Sequence, residues 1–548
     1  MTVAWPVWLL VLATAGKAGG PGASAEPDLL LHHGKVFTGV AARPWVEALA
    51  IRGERIIATG KNAEVLPLAG KHTRSVNLGG RTVIPGIDDA HDHLDLDPPG
   101  AVEAEVKTRD PGWEEMRAAL QAAAKKAARG AFVEGTISWT LWNDPSVDRD
   151  ALDRVSMDHP IVLGTFTGHA MILNSAGLSR LGIGEKIQDP VAGRFERLPD
   201  GRLSGVVREY AAMAVGRRMA GLVPDEEAVA QLRVRLGKAA RWGVTSIQDL
   251  SASIEPGHAA RLLAAVPTPI RVRVVPMPGT SPAGRDTHEG DGLAAHPAPL
   301  LTLGGRKWLL DGVPVEFTLD LRGTHPKPTG ASPKDPLMSE VPLSFAPREL
   351  KAMLEESLRS GQQLLAHVSG YPAARALLEA MQETGGPKVW ATRRVRLEHG
   401  DGLFPDLLDT ARALGVIVVQ NPSHLNVFSG GLEKGQPLKT LLDRGIPIAL
   451  GSDGPPNPYL NILFATQASN RPSEALSREE AVIAYTRGSA YAENAEGDKG
   501  TLEPGKLADL AVLSQDIFTV PPPELPKTES VLTLVGGKVA YDAGALPR

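Results

Sequence analysis

The chain of 548 residues contains no cysteine. That absence excludes disulfides, a cysteine metal ligand, a thiol nucleophile and a lipidated anchoring cysteine. Aromatic residues are sparse at 5%, and no segment beyond the N-terminus is long and apolar enough to span a bilayer. Neither sign of charge dominates. Lys and Arg total 58 against 63 for Asp and Glu, a formal net charge of -5, so nothing points to nucleic acid or an anionic membrane as partner. What remains is ordinary globular composition, 43% hydrophobic and 22% charged, with abundant Gly and Pro. A chain this long exceeds one simple core and fits a large enzyme of one or two domains.

The first 25 residues read as a secretory signal. The apolar stretch Trp5 to Ala13 leads through small residues to Ala23-Ser24-Ala25, an A-x-A cleavage site, although the leading segment carries no Lys or Arg. A mature chain beginning at Glu26 would be secreted or periplasmic, with no membrane anchor after cleavage.

From Leu29 to Val83 short apolar runs broken by Gly and Asn predict a small β-sandwich, and the style returns in Ala508 to Leu513 and Ser530 to Val539. One composite domain over 26–84 and 500–548 is therefore expected. The middle, 85–499, follows another beat. Helical stretches ending at Gly361, Gly415 and Gly445 each lead into a buried strand closed by a polar residue, the pattern of parallel βαβ units. Strands at 243–249, 270–275, 307–312, 362–367, 394–399, 416–420 and 447–453, with the one before His91, make eight. The predicted fold is α/β, a (β/α)8 barrel with its site at the strands' carboxyl ends. About 150 residues separate strands one and two, so an inserted subdomain is expected at about 98–225, with a helix capped by Asp110, started by Pro111 and stopped at Gly130.

Two histidines, His91 and His93, close the first strand. Residues i and i+2 on a strand share a face, so both imidazoles can aim at one cation, although such a pair also suits a structural or surface role. The other ligand types stand at the ends of strands four (Lys307), five (His367), six (His399) and eight (Asp453). Each has a plainer reading: His367 and His399 could satisfy backbone groups, and Lys307 could be a solvated charge.

The run Ile84-Pro85-Gly86-Ile87-Asp88-Asp89-Ala90-His91-Asp92-His93 begins a series of ordered motifs. It is followed by Gly168-His169-Ala170, Gly243-Val244-Thr245-Ser246, Lys307 with Asp311-Gly312, Arg396-Leu397-Glu398-His399, Asn421-Pro422-Ser423-His424, Gly451-Ser452-Asp453 and Leu502 to Leu510. On these motifs the chain resembles the amidohydrolase superfamily, within it amidohydrolase family 3, the branch of YtcJ-like and N-substituted formamide deformylase-like proteins. The resemblance implies one or two divalent metals per chain, usually zinc. His91, His93 and Asp453 would hold one, His367 and His399 the other, and Lys307, carboxylated to a carbamate, would bridge them. It also implies hydrolysis of a non-peptide C–N bond (amide, formamide or cyclic amide) by metal-activated hydroxide, with Asp453 moving the proton. His424 and His169 are candidate catalytic residues that could polarise a carbonyl, or else loop histidines; Asp88 and Asp92 read as support or solvent-facing groups. One departure is Tyr371, where the family usually has an acid. The expected partner is a small-molecule substrate; homo-oligomerisation stays open, as do a heterocycle deaminase and a non-catalytic binding barrel.

Overall fold

The computed structural model describes residues 26–546 except 109, 138, 143, 166, 314–340, 425–436 and 469–470. The signal segment expected at 1–25 lies outside the described residues. Among those described, no helix is long and apolar enough to cross a membrane.

Two sheets carry the ends of the chain. One has four strands, from Leu29–His32, Ala48–Arg52, Arg55–Gly60 and Arg74–Asn77. The other has six and takes Lys35–Phe37, Trp45–Val46 and Thr82–Pro85 from the N-terminal part, with Leu510–Leu513, Ser530–Val535 and Lys538–Asp542 from the C-terminal part. The seam is antiparallel, with Ile84 opposite Ala511 and Val83 opposite Val512. Leu31, Leu49, Val83, Leu510, Val512 and Leu534 share one buried cluster, the alternate residues that a sandwich turns inward.

Eight parallel strands position the site: β1 (Ile87–Asp92), β2 (Val244–Ser251), β3 (Arg271–Pro276), β4 (Arg306–Leu309), β5 (Leu364–Val368), β6 (Arg396–His399), β7 (Ile417–Gln420) and β8 (Ile448–Leu450). They are buried along almost their whole length, as strands covered by helices must be. Helices end where glycine allows a left-handed residue: Gly361 at φ 72° closes Pro347–Ser360 before β5, and Gly415 at φ 67° closes Leu408–Leu414 before β7.

Among the described residues the eight strands pair in two sheets rather than in one continuous ladder. β1, β2 and β3 pair with the short strand Leu301–Leu303 in one sheet, and β4 to β8 make a second. Gly304-Gly305, with Gly305 at φ +85°, breaks the fourth strand, so its first half pairs with β3 and its second with β5. At the other joint the Asp453 N–H donates to the His91 carbonyl at 2.9 Å.

The insertion folds on its own six-stranded mixed sheet, running from Gly193–Arg197 through Leu203–Glu209, Ala170–Leu173, Ile161–Thr165 and Val133–Ile137 to Val102–Glu103. Its first helix differs from expectation. It spans Trp113–Lys126, with Gly112 as N-cap and Ala127 as C-cap. Asp110 is instead held by Thr140, whose N–H and hydroxyl both donate to it at 2.8 Å, so its carboxylate is not available as a cap. Glu115 in the first turn accepts from the Lys107 and Thr108 amides and folds the approach chain back on the helix.

Candidate metal centre

Strand periodicity places His91 and His93 on one face at the end of β1, with their ring centroids 5.3 Å apart. Asp453 arrives from the turn after β8 with φ 40°, and His399 ends β6 with φ 69°. Both are left-handed positions that cost a side-chain-bearing residue roughly 1–3 kcal/mol, strain of the kind that collects at functional sites. Asp453 is the hub. One carboxylate oxygen lies 3.6 Å from His91 Nε2 and 3.5 Å from His93 Nε2; the other lies 3.8 Å from the Nε2 atoms of His399 and His424.

Five imidazoles are anchored through Nδ1. His91 donates to Glu398 Oε2 at 2.8 Å, His93 to the Leu250 carbonyl at 2.6 Å, His367 to Asp311 Oδ1 at 2.7 Å, His399 to Asn421 Oδ1 at 3.0 Å and His169 to Glu209 Oε2 at 2.8 Å. A neutral ring that spends its proton on Nδ1 keeps its lone pair on Nε2, the state a metal ligand needs. Burial pushes His91, His367 and His399 well below the usual histidine range and keeps them neutral. Burial alone would raise the Asp453 pKa, but attraction to the His91, His424 and His93 rings in their protonated forms and to the Lys307 ammonium outweighs it and holds the carboxyl below its ordinary range.

This donor set fits a divalent cation. Two ligands at ~2.0–2.1 Å in a tetrahedral shell stand ~3.3 Å apart, close to the separations of Asp453 from His91 and His93. His91, His93 and Asp453 form one such group; His399, His424 and Asp453 form a second. His399 thus stands in the second of these groups and also, with His367 and a carboxylated Lys307, in the second set that the resemblance implies. The His367 ring lies 4.6 Å from that of His399 and 4.8 Å from that of His169, outside both triplets. His424 differs from the other five, because its Nε2 donates to the Asp453 carbonyl at 2.9 Å.

Lys307 is not a solvated charge. It is 1% exposed, its Nζ donates to His91 Nε2 at 3.3 Å, and burial pushes its pKa down to about 8 against the pull of Glu398 and Asp453. His169 reaches the centre from the insertion. Asp88 and Asp92 are buried and engaged elsewhere, Asp88 with Lys499 and Asp92 with Arg235. Tyr371 donates to Asp406 at 2.8 Å and stacks on Phe404 at the start of the helix after β5.

The residues that anchor the rings were not assigned roles from sequence. Glu398, Asp311 and Asn421 stand inside the quoted motifs, so motif membership was a signal. Glu209 stands in none; its φ of 52° at the junction of a strand and a helix appears only in three dimensions.

The family model described as "Amidohydrolase family" matches residues 74–541. The Arabidopsis thaliana protein LONG AFTER FAR-RED 3 is 27% identical over 95% of this chain and 93% of its own length. N-substituted formamide deformylase of Arthrobacter pascens is 25% identical over 94% of this chain and 98% of its own. Among solved structures, an uncharacterized metal-dependent hydrolase from Pyrococcus horikoshii shares the fold with a TM-score of 0.67 and 21% identity, covering 91% of this chain and 99% of that one.

Proposed function

The chain belongs to the amidohydrolase family and is a hydrolase, and from that premise we propose that it hydrolyses a non-peptide C–N bond in an amide, formamide or cyclic amide, using one or two zinc ions. The observation that carries the reading is a connected group of five Nδ1-anchored imidazoles, three of them with Nε2 within 3.8 Å of Asp453, with Lys307 against His91. His91, His93 and Asp453 would hold the first cation. When bound, it supplies a water of lowered pKa and polarises the substrate carbonyl. Asp453 then has two duties that one carboxylate can combine, accepting the proton of the attacking water and delivering it to the leaving nitrogen. His424 stands beside His399 and His169 beside His367, and these two rings would flank the substrate carbonyl.

A second cation would rest on His367, His399 and a carboxylated Lys307. Burial favours that modification, because a neutral amine is the form that adds CO2 and desolvation stabilises it here. The reading also joins the two parallel sheets into one (β/α)8 barrel, with the insertion after β1 and a sandwich from 26–84 and 500–548. It is supported by the split fourth strand on one side and by the Asp453 to His91 backbone bond on the other. A small-molecule substrate and export after Ala25 complete it on sequence grounds. The formamide part gains support from the Arthrobacter pascens relative.

The test is a screen of zinc-loaded protein against N-formyl, N-acyl and cyclic amides, reading the released amine or the opened ring. Release of an organic amine, or ring opening, is the expected result. Ammonia released from a heterocycle, with no amide turned over, would replace the proposal with deamination.

A further inference from the structure

Behind His91 runs a line of buried polar groups. Arg396 and Glu398 project from the same face of β6 as residues i and i+2, and both are fully buried, together with Gln248 of β2. Barrel interiors are ordinarily filled by branched apolar side chains, so an ion pair here calls for a specific cause. The Arg396 fork grips both Glu398 oxygens, Nε to Oε1 at 2.8 Å and Nη2 to Oε2 at 3.1 Å. Its Nη2 also donates to the Ala90 carbonyl at 2.6 Å, one residue before His91. Its Nη1 donates to Gln248 Oε1, and Gln248 in turn donates to Asp88 Oδ1 at 3.3 Å. Asp88 is paired at 3.0 Å with Lys499, which also holds Glu493 and the Ser246 hydroxyl.

We propose that Arg396 is a positioning residue of the metal centre: it locks the Glu398 carboxylate that orients the His91 ring and, through the Ala90 carbonyl, holds the backbone that carries that ring. The inference rests on the reading that His91 ligates a cation. The carboxylate makes Nδ1 the protonated nitrogen, and the guanidinium keeps the carboxylate from swinging toward the cation itself. A planar fork does both at fixed angles, bonding both carboxylate oxygens and the backbone carbonyl at once, whereas the rotatable donors of a lysine would leave the carboxylate free to turn. A role confined to stability makes a different demand. Buried ion pairs can be replaced by matched apolar pairs with little loss of stability, whereas such a pair could not orient an imidazole.

The experiment reads zinc affinity of the full chain by chelator competition, together with the absorption spectrum of the cobalt-loaded protein and the melting temperature. Arg396→Lys, Glu398→Gln and the apolar pair R396M/E398L are compared with wild type. Each is expected to bind zinc about 10–100-fold more weakly, the usual cost of losing a group that supports a metal ligand. The apolar pair should stay weak even where its melting temperature matches wild type, and all three should alter the cobalt spectrum. Zinc affinity within twofold of wild type in a stably folded apolar pair would overturn the proposal. So would a weak Glu398→Gln beside an unaltered Arg396→Lys, because Arg396 would then not be acting through Glu398. Wild type that takes up neither zinc nor cobalt would instead remove the metal reading on which the proposal stands.

Discussion

Asp311 offers a quantitative test of how the rings are held. Fully buried, it accepts from three donors: His367 Nδ1 at 2.7 Å, Ser369 N–H at 3.1 and 3.0 Å from its two oxygens, and Gly370 N–H at 2.6 Å. Asp311→Ala leaves all three donors buried without partners, at about 1–3 kcal/mol each. Removing a carboxyl that burial disfavours in its charged form returns part of that, so the net cost is about 2–5 kcal/mol. In a unit of this size one kcal/mol moves the melting temperature by only ~1–2 °C, so the expected fall is ~2–10 °C. The freed His367 ring should also weaken zinc binding about 10–100-fold. Asp311→Asn keeps one acceptor oxygen but turns an amine toward the remaining donors, and should fall between alanine and wild type. Scanning calorimetry of the metal-free proteins, followed by chelator competition, measures both effects. An alanine variant that melts within a degree of wild type and binds zinc normally would refute the reasoning that a buried carboxylate carries these three bonds.

Lys307→Ala should lose one metal and most activity, with partial recovery in acetate or propionate, whose carboxylate can stand where the carbamate would; metal analysis with turnover checks it. Gly451→Ala would bring a methyl to 2.5 Å from His91 Cβ and 2.6 Å from His91 N, contacts that cannot yield without moving β8 from β1. It should cost at least ~1–3 kcal/mol in thermal stability and weaken metal binding. Glu134 in the insertion is pushed up to about 7 by burial, with Asp97 and Glu103 adding repulsion. A raised carboxyl pKa means that its stabilising contribution is present below the unfolded value and lost as pH rises through 7. Glu134→Gln should therefore match wild type near pH 4 and exceed it by about 1–2 kcal/mol at pH 8, read from melting curves at the two pH values.

The strand-end positions of the candidate ligands were legible in the sequence because each follows a local rule. His91 and His93 share a strand face by their spacing, and Lys307, His367, His399 and Asp453 each mark a parallel strand recognisable from an apolar run. What the local rules could not supply was each ring's second partner. Glu398 meets His91 across 307 residues of chain and Asp311 meets His367 across 56, so these contacts exist only once the sheets are assembled. The same limit explains the misplaced helix start at Asp110, where a capping residue was captured by Thr140, 30 positions away. It also explains the open ladder. Eight strands could be counted, but the fourth was placed at 307–312, and only the assembled sheets reveal Leu301–Leu303, before Gly304-Gly305, as the piece that pairs with β3.

The central claim is that His91, His93 and Asp453 hold a divalent cation on which hydrolysis depends. Metal per chain, measured by mass spectrometry after zinc loading and gel filtration, tests it most directly when wild type is set beside His91→Ala, His93→Ala and Asp453→Ala. The account predicts one or two zinc ions in wild type, at least one fewer in each folded variant, and amide hydrolysis that falls in step with the lost metal. Variants that retain the full wild-type metal content, or a chelated wild type that hydrolyses amides at its original rate, would contradict it.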